Sequence, residues 1–125
     1  MKQTLLFLFS LLIFSCHSPQ PAPTGQVRLN SLGFLPENHK QASVNAECSA
    51  FKVVNAATAQ VVFEGNATGP VFQEDVNEKV WTADFTEVNT PGEYYLDVPG
   101  VGRSVTFPVG TQVYNDAYVA AMRGF

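Results

Sequence analysis

The sequence predicts an all-β fold: a two-layered sandwich of about seven strands with one short helix at its carboxyl end. Two observations predict it. Between Gln26 and Gly110, short runs of alternating apolar and polar residues recur between turns rich in Gly and Pro. A helical spacing of apolar side chains enters only in about the last dozen residues, from Val113. About seven strands in roughly 85 residues is the immunoglobulin-like arrangement.

Taken in order, Val27-Arg28-Leu29-Asn30 is the first strand, closed by Gly33 and Pro36. Gln41 to Ala46 is the second, with a weaker pattern. Phe51 to Asn55 and Val61 to Gly65 form a hairpin around Ala56-Ala57-Thr58-Ala59. Val80 to Phe85 places Trp81, Ala83 and Phe85 on one face, with Thr82 and Asp84 on the other. Gly92 to Val98 sets Tyr94, Leu96 and Val98 against Tyr95 and Asp97. Arg103 to Val109 places Val105, Phe107 and Val109 inside, with Ser104 and Thr106 outside. Two connections suit these strands: Asn89-Thr90-Pro91-Gly92 reads as a type II turn, and Val98-Pro99-Gly100-Val101-Gly102 joins the last two. In the final segment Tyr114, Tyr118, Ala121, Met122 and Phe125 share one helical face, with Asp116 near the start and Arg123 near the end, as the helix dipole prefers. Either this stripe docks on its own sandwich, or residues 111–125 open a further domain whose protein covers it. The second reading is preferred.

The amino-terminal segment reads as an address. Lys2 is followed by an apolar run from Leu5 to Phe14, broken only by Ser10. The run falls short of the roughly 20 residues that span a bilayer. A positive start with a short apolar core is the pattern of a secretory signal. Its end, Ile13-Phe14-Ser15-Cys16, resembles the lipobox of bacterial lipoproteins. That resemblance implies cleavage of residues 1–15, a lipid on Cys16, and an exported protein anchored to a membrane, facing the periplasm or the cell surface. The alternative is a plain secretory signal in which Cys16 is incidental. Residues 16–25 carry Pro19, Pro21 and Pro23 and read as an extended tether. The sandwich proper is then 26–110.

Composition narrows the function. A chain of 125 residues is one ordinary domain, and ten Phe, four Tyr and one Trp are too many aromatics for a disordered one. A net charge of −4, more acidic still without Lys2, argues against a nucleic-acid partner, whose phosphates need a basic surface. Cys16 and Cys48 supply no disulfide framework, and no Cys/His cluster or metal spacing is present, so no metal or cofactor is expected. Glu74, Asp75, Asn77 and Glu78 form an acidic cluster of the oxygen-donor kind that calcium takes, but without the EF-hand spacing, and a solvated loop is the better reading. His39 lies in a turn without a nucleophile beside it. Cys48 reads as a small hydrophobe. Trp81 alternates with core positions, which leaves Tyr95, on the opposite face, as the candidate for stacking on a sugar ring.

The opening of the body carries a family resemblance. Val27-Arg28-Leu29-Asn30-Ser31-Leu32-Gly33-Phe34-Leu35-Pro36 resembles the (I/V)RxNQxGYxP motif that begins the N-terminal immunoglobulin-like domain of glycoside hydrolase family 9 enzymes, the cellulases. Ser31 stands where the family has Gln, and Phe34 where it has Tyr. Phe51 to Asn55, Val61 to Gly65, Val80 to Phe85, Thr90 to Tyr95 and Gly102-Arg103-Ser104 are similar to the same domain. The tail from Val113 to Phe125 is similar to the first helix of the family's catalytic α/α barrel. The resemblance implies an accessory module that packs on a catalytic domain in cis and reaches β-1,4-glucan through it. It also implies a chain cut just inside that domain, with Tyr114, Tyr118, Met122 and Phe125 as the interface. The family's catalytic aspartates and glutamate match no position of this sequence, so no catalytic residue is assigned and the fragment itself is expected to be inactive. The competing reading is a free-standing carbohydrate-binding or adaptor sandwich at the cell surface.

Overall fold

A computed structural model describes residues 21–124. Among the described residues, nine strands and one helix follow one another: β1 (Val27–Arg28), β2 (Gln41–Val44), β3 (Ala50–Asn55), β4 (Val61–Asn66), β5 (Thr68–Gln73), β6 (Glu78–Asp84), β7 (Gly92–Val98), β8 (Gly102–Arg103), β9 (Phe107–Val109) and α1 (Asn115–Arg123). They form two antiparallel sheets. One has the order β1-β2-β6-β5. The other has the order β4-β3-β7-β8, with β9 also on β7. The fold is an immunoglobulin-like sandwich, as the alternation predicts.

The inward residues of each strand meet between the layers. Val44 of β2 and Ala83 of β6 face Phe51 and Val53 of β3 and Leu96 and Val98 of β7, all fully buried. Phe34, Phe85 and Phe107 fill one end of this space. The ring of Phe34 stands edge-on to Phe85 and Phe107, at 5.3 and 5.4 Å between centroids. Edge-to-face pairs align the positive rim of one ring with the negative face of the other and contribute about 0.5–1.5 kcal/mol each beyond the area they bury. Phe34 is thus a core aromatic with no polar partner to seek. Tyr94 is buried with its ring against Phe107, and its hydroxyl donates to Thr90 O at 2.7 Å. A tyrosine early in a strand that ties back to the corner before it is a hallmark of this fold.

The hairpin of β3 and β4 forms as expected, with a register shift between Val53 and Val54. Three features differ from expectation. The segment Thr68–Gln73 is a strand. Gly69 and Pro70 hide it from sequence reading, yet an edge position with a bulge is where a sheet accepts them, and β5 is such an edge. The expected last strand is split into β8 and β9, and its phase slips between them. Ser104 is fully buried and Val105 is exposed, the reverse of the alternation. The cause is a gap in the β7 ladder, which Ser104 closes. Its backbone N–H donates to Leu96 O at 2.8 Å, and its Oγ accepts from Leu96 N at 2.9 Å. Finally, the end of the expected tether lies on the sandwich: Pro23 bridges to Arg103, and Thr24 N–H donates to Arg103 O at 2.9 Å.

Candidate functional site

The helix and its mooring define the candidate site. The chain reaches α1 through Tyr114, a half-buried residue whose hydroxyl donates to Gly33 O at 2.7 Å and accepts from Asn30 Nδ2 at 3.2 Å. The partners belong to the opening motif. Asn30 Oδ1 accepts from Leu32 N–H at 3.1 Å, which turns the chain into Gly33. Gly33 has φ +114°, and a Cβ there would come within 2.5 Å of Pro108 O, so only glycine allows this loop to approach β9 so closely. Phe34 N–H then donates to Pro108 O at 2.9 Å and Gly110 N–H to Phe34 O at 3.0 Å. The first loop, the last strand and the root of the helix are thus locked together.

Beyond that root the helix is bare. None of its nine residues is buried. Tyr118 is 65% exposed and Met122 56%, with Val119 beside them also exposed. The expected interface residues therefore divide. Tyr114 is spent on its own sandwich, Tyr118 and Met122 are open, and Phe125 lies outside the described residues, as does Cys16. A nine-residue helix is marginal in water by itself, because nucleation costs more than so few bonds return. The mooring at Tyr114 and a covering surface are what such a helix needs.

The sugar-stacking expectation for Tyr95 does not meet an open ring. Tyr95 is 9% exposed, and the guanidinium of Arg103 lies over its face at 4.7 Å from the ring centre. Two neighbouring strands bring this about: Arg103 of β8 pairs with Asp97 on β7, which places its planar head over the outward side chain two residues earlier. Trp81 packs on the core, as its alternation predicts, but not completely. It is half-buried against the core and lines an open groove at one end of the sandwich, together with Glu47, Cys48 and Lys79. Burial pushes the Cys48 thiol up from its ordinary value, so it stays protonated and unreactive at neutral pH.

The acidic cluster is the tight connection between β5 and β6. Asn77 takes the left-handed conformation at φ 53°, and the Glu78 carboxylate accepts from Asn45 Nδ2 at 2.8 Å. Among the described residues, no group of three or more His, Cys, Asp or Glu side chains is placed to hold a metal ion. His39 is tied into a small surface network: its Nδ1 lies 2.9 Å from Thr86 Oγ1, which in turn donates to Asp84 Oδ1 at 2.7 Å. That hydroxyl and the Thr86 backbone N–H hold the Asp84 carboxyl below its usual range.

Lys40 escaped sequence reasoning. Its side chain is fully buried, and its ammonium donates to Pro36 O at 2.6 Å, Asn38 O at 2.9 Å and Thr86 O at 3.1 Å. Three donors meet three carbonyls, which is how a buried ammonium is tolerated. With its amide turned so that nitrogen faces the same carbonyls, Asn89 donates to Pro36 O and Thr86 O at 2.8 Å each. A signal was present: Lys40 is in phase with Ala42 and Val44, the inward residues of β2.

An immunoglobulin-like module with a moored but uncovered terminal helix is the class of protein these features define. The chain belongs to the cellulase N-terminal ig-like domain family, whose model matches residues 22–103. It is similar to Endoglucanase D of Acetivibrio thermocellus, with 48% identity over 99 residues, or 79% of this chain and 16% of that protein. A xyloglucan-specific endo-β-1,4-glucanase of Bacteroides ovatus is 31% identical over 119 residues, covering 94% of this chain and 20% of that protein. Among solved structures, a metagenome-derived glycoside hydrolase family 9 endoglucanase superposes with a TM-score of 0.69 at 33% identity, over 78% of this chain and 20% of that one. The chain thus spans a fifth or less of the length of these relatives.

Proposed function

We propose that the chain is the accessory module of a family 9 endo-β-1,4-glucanase and packs on that enzyme's catalytic domain in cis through the open face of α1. Cleavage of glucan belongs to the partner domain. Inverting hydrolysis needs a general acid and a general base about 6.5–9.5 Å apart with water between, and none of the acidic side chains here is assigned to it. The module's part is to stabilise the domain it covers.

The observation that carries this reading is the contrast along the last segment. Tyr114 is fixed to the sandwich by two hydrogen bonds, while Tyr118 and Met122 remain more than half exposed one and two turns later. Burying large apolar side chains contributes about 1.5–3 kcal/mol each when complete, so a partner covering this face gains several kcal/mol from side chains already held in place. The similarity to endoglucanases several times longer supports a catalytic domain as that partner.

The test is made in the parent enzyme. Tyr118→Asp with Met122→Asp is expected to lower the melting temperature of the catalytic domain and to speed amide exchange in α1, leaving exchange in β3 and β7 unchanged. A catalytic domain indifferent to both substitutions overturns the reading. The same proposal includes export and anchoring by a lipid on Cys16, checked by whether Cys16→Ser moves the protein from the membrane fraction to the soluble one. Partitioning unchanged by Cys16→Ser counts against the anchor.

A further inference from the structure

We infer that the groove floored by Trp81 is a binding subsite for a β-1,4-linked glucan chain, separate from the helix that meets the catalytic domain. The inference rests on the reading of the chain as a glucanase module and adds to it a direct contact with substrate.

The groove is built by a fault in the sheet. β5 and β6 pair regularly at Val71↔Val80 and at Thr68↔Thr82, but a register shift between them leaves Gly69 and Pro70 together opposite Trp81. Such a bulge re-aims a side chain and interrupts pairing. Gly69 has φ +135°, and a Cβ there would come within 3.0 Å of Val80 O and 3.3 Å of the Trp81 ring. Glycine therefore leaves the wall beside the indole without a side chain. On its other flank Trp81 pairs with Val44, the last residue of β2, after which the chain turns away through residues 45–49. The indole sits where the space between the sheets opens outward.

The opening has a volume of about 540 Å³ and is lined by Glu47, Ser49, Pro70 and Lys79 around the indole. That size falls within the range of about 300–1,000 Å³ typical of small-molecule sites, which combine apolar walls with a few placed polar groups. The chemistry suits one ligand class. A β-1,4-linked glucose ring is flat, with all hydroxyls at its edge and C–H bonds on its faces. The faces are slightly positive and match the negative face of an indole. The edge needs donors and acceptors together, which the Lys79 ammonium, the Glu47 carboxylate and the Ser49 hydroxyl provide. Glu47 and Ser49 are exposed on the β2–β3 loop and Lys79 is exposed on β6, so all three are open to a ligand. An anionic ligand is disfavoured by Glu47, and the protonated Cys48 thiol adds wall without charge.

Trp81 is the single tryptophan of the chain, so it reports its own site. The full chain is titrated with cellohexaose, and with maltohexaose as the α-linked control, while Trp81 emission is followed. Cellohexaose is expected to change the emission saturably and maltohexaose to leave it unchanged. Glu47→Gln and Lys79→Met, both at exposed positions, are each expected to weaken the cellohexaose response by about three- to tenfold, the loss of one ligand hydrogen bond. Emission unmoved by cellohexaose, an equal response to maltohexaose, or affinities untouched by both variants overturns the inference. Packing on the catalytic domain is read from α1 exchange and barrel stability, so a failure here is distinct from a failure there.

Discussion

Replacing Tyr114 by Phe deletes one oxygen atom and leaves the ring, so it isolates the mooring of the helix. The hydroxyl donates to Gly33 O at 2.7 Å, a part-buried contact, and accepts from Asn30 Nδ2 at 3.2 Å in a more exposed one. A typical hydrogen bond contributes about 0.5–1.5 kcal/mol net, and the exposed one sits at the low end because water replaces it. Their combined loss is therefore about 1–2 kcal/mol. The cost falls on local opening, because Gly33 remains held from the other side by the Phe34 and Gly110 bonds to the same loop. An equilibrium shifted by that amount changes roughly 5- to 30-fold. Amide exchange by mass spectrometry is expected to show 115–123 exchanging faster by that factor in Tyr114→Phe, with peptides of β3 and β7 at their wild-type rates. Equal acceleration in the core strands would show that the hydroxyl supports global stability rather than the helix. Exchange in 115–123 that is unprotected in the parent chain, or unaltered by the substitution, refutes the mooring itself.

Lys40→Met keeps the buried stem and removes the ammonium, leaving Asn38 O without that donor and Pro36 O and Thr86 O with the Asn89 amide alone. The expected cost is about 2–4 kcal/mol, because three hydrogen bonds from a charged donor are lost and one acceptor is left without that partner. In a domain of this size that lowers the melting temperature by roughly 20 °C, and a loss under about 1 kcal/mol by chemical denaturation would show that water fills the cage. Asp84→Asn tests the acid limb. The folded Asp84 carboxyl titrates below its ordinary value of 3.8 because Thr86 donates to it twice. The stability it contributes is therefore complete above that value and is lost as pH falls through the lower, folded one. The parent chain is expected to lose stability below about pH 4 more steeply than Asp84→Asn. Identical slopes in acid denaturation would refute the assignment.

Much of the fold was legible because the strands that build the core expose one face only. Phe51, Val53, Ala83, Phe85, Leu96 and Val98 all fall on the inward phase of their strands, and alternation finds such residues. What alternation misses is a change of phase. Ser104 is inside because β7 changes partner beside it, and β5 was invisible because its Gly69-Pro70 pair makes a bulge rather than a break. Tyr95 differs for another reason. Its phase is outward, but whether an outward ring is open depends on what the next strand lays over it, and here that is Arg103. Lys40 shows the converse. Its phase was inward, but its charge argued for the surface, and only the loops carrying Pro36, Asn38 and Thr86 reveal how the charge is met.

The same limit explains why the opening motif is more specific than its alternation requires. Val27 and Phe34 contribute core surface that many apolar residues could supply. Asn30 and Gly33 do something narrower. Gly33 admits the loop to within reach of Pro108, and the amide of Asn30 and the carbonyl of Gly33 then form the two-point socket for the Tyr114 hydroxyl. A hydrogen-bonded socket fixes direction as well as distance, whereas an apolar contact fixes neither sharply. The sandwich therefore presents α1 in one orientation, and in the proposed packing less ordering entropy is lost when a partner covers Tyr118 and Met122. In the proposed function, support of another domain depends on that pre-set direction, and Asn30, Gly33 and Tyr114 are the residues that set it.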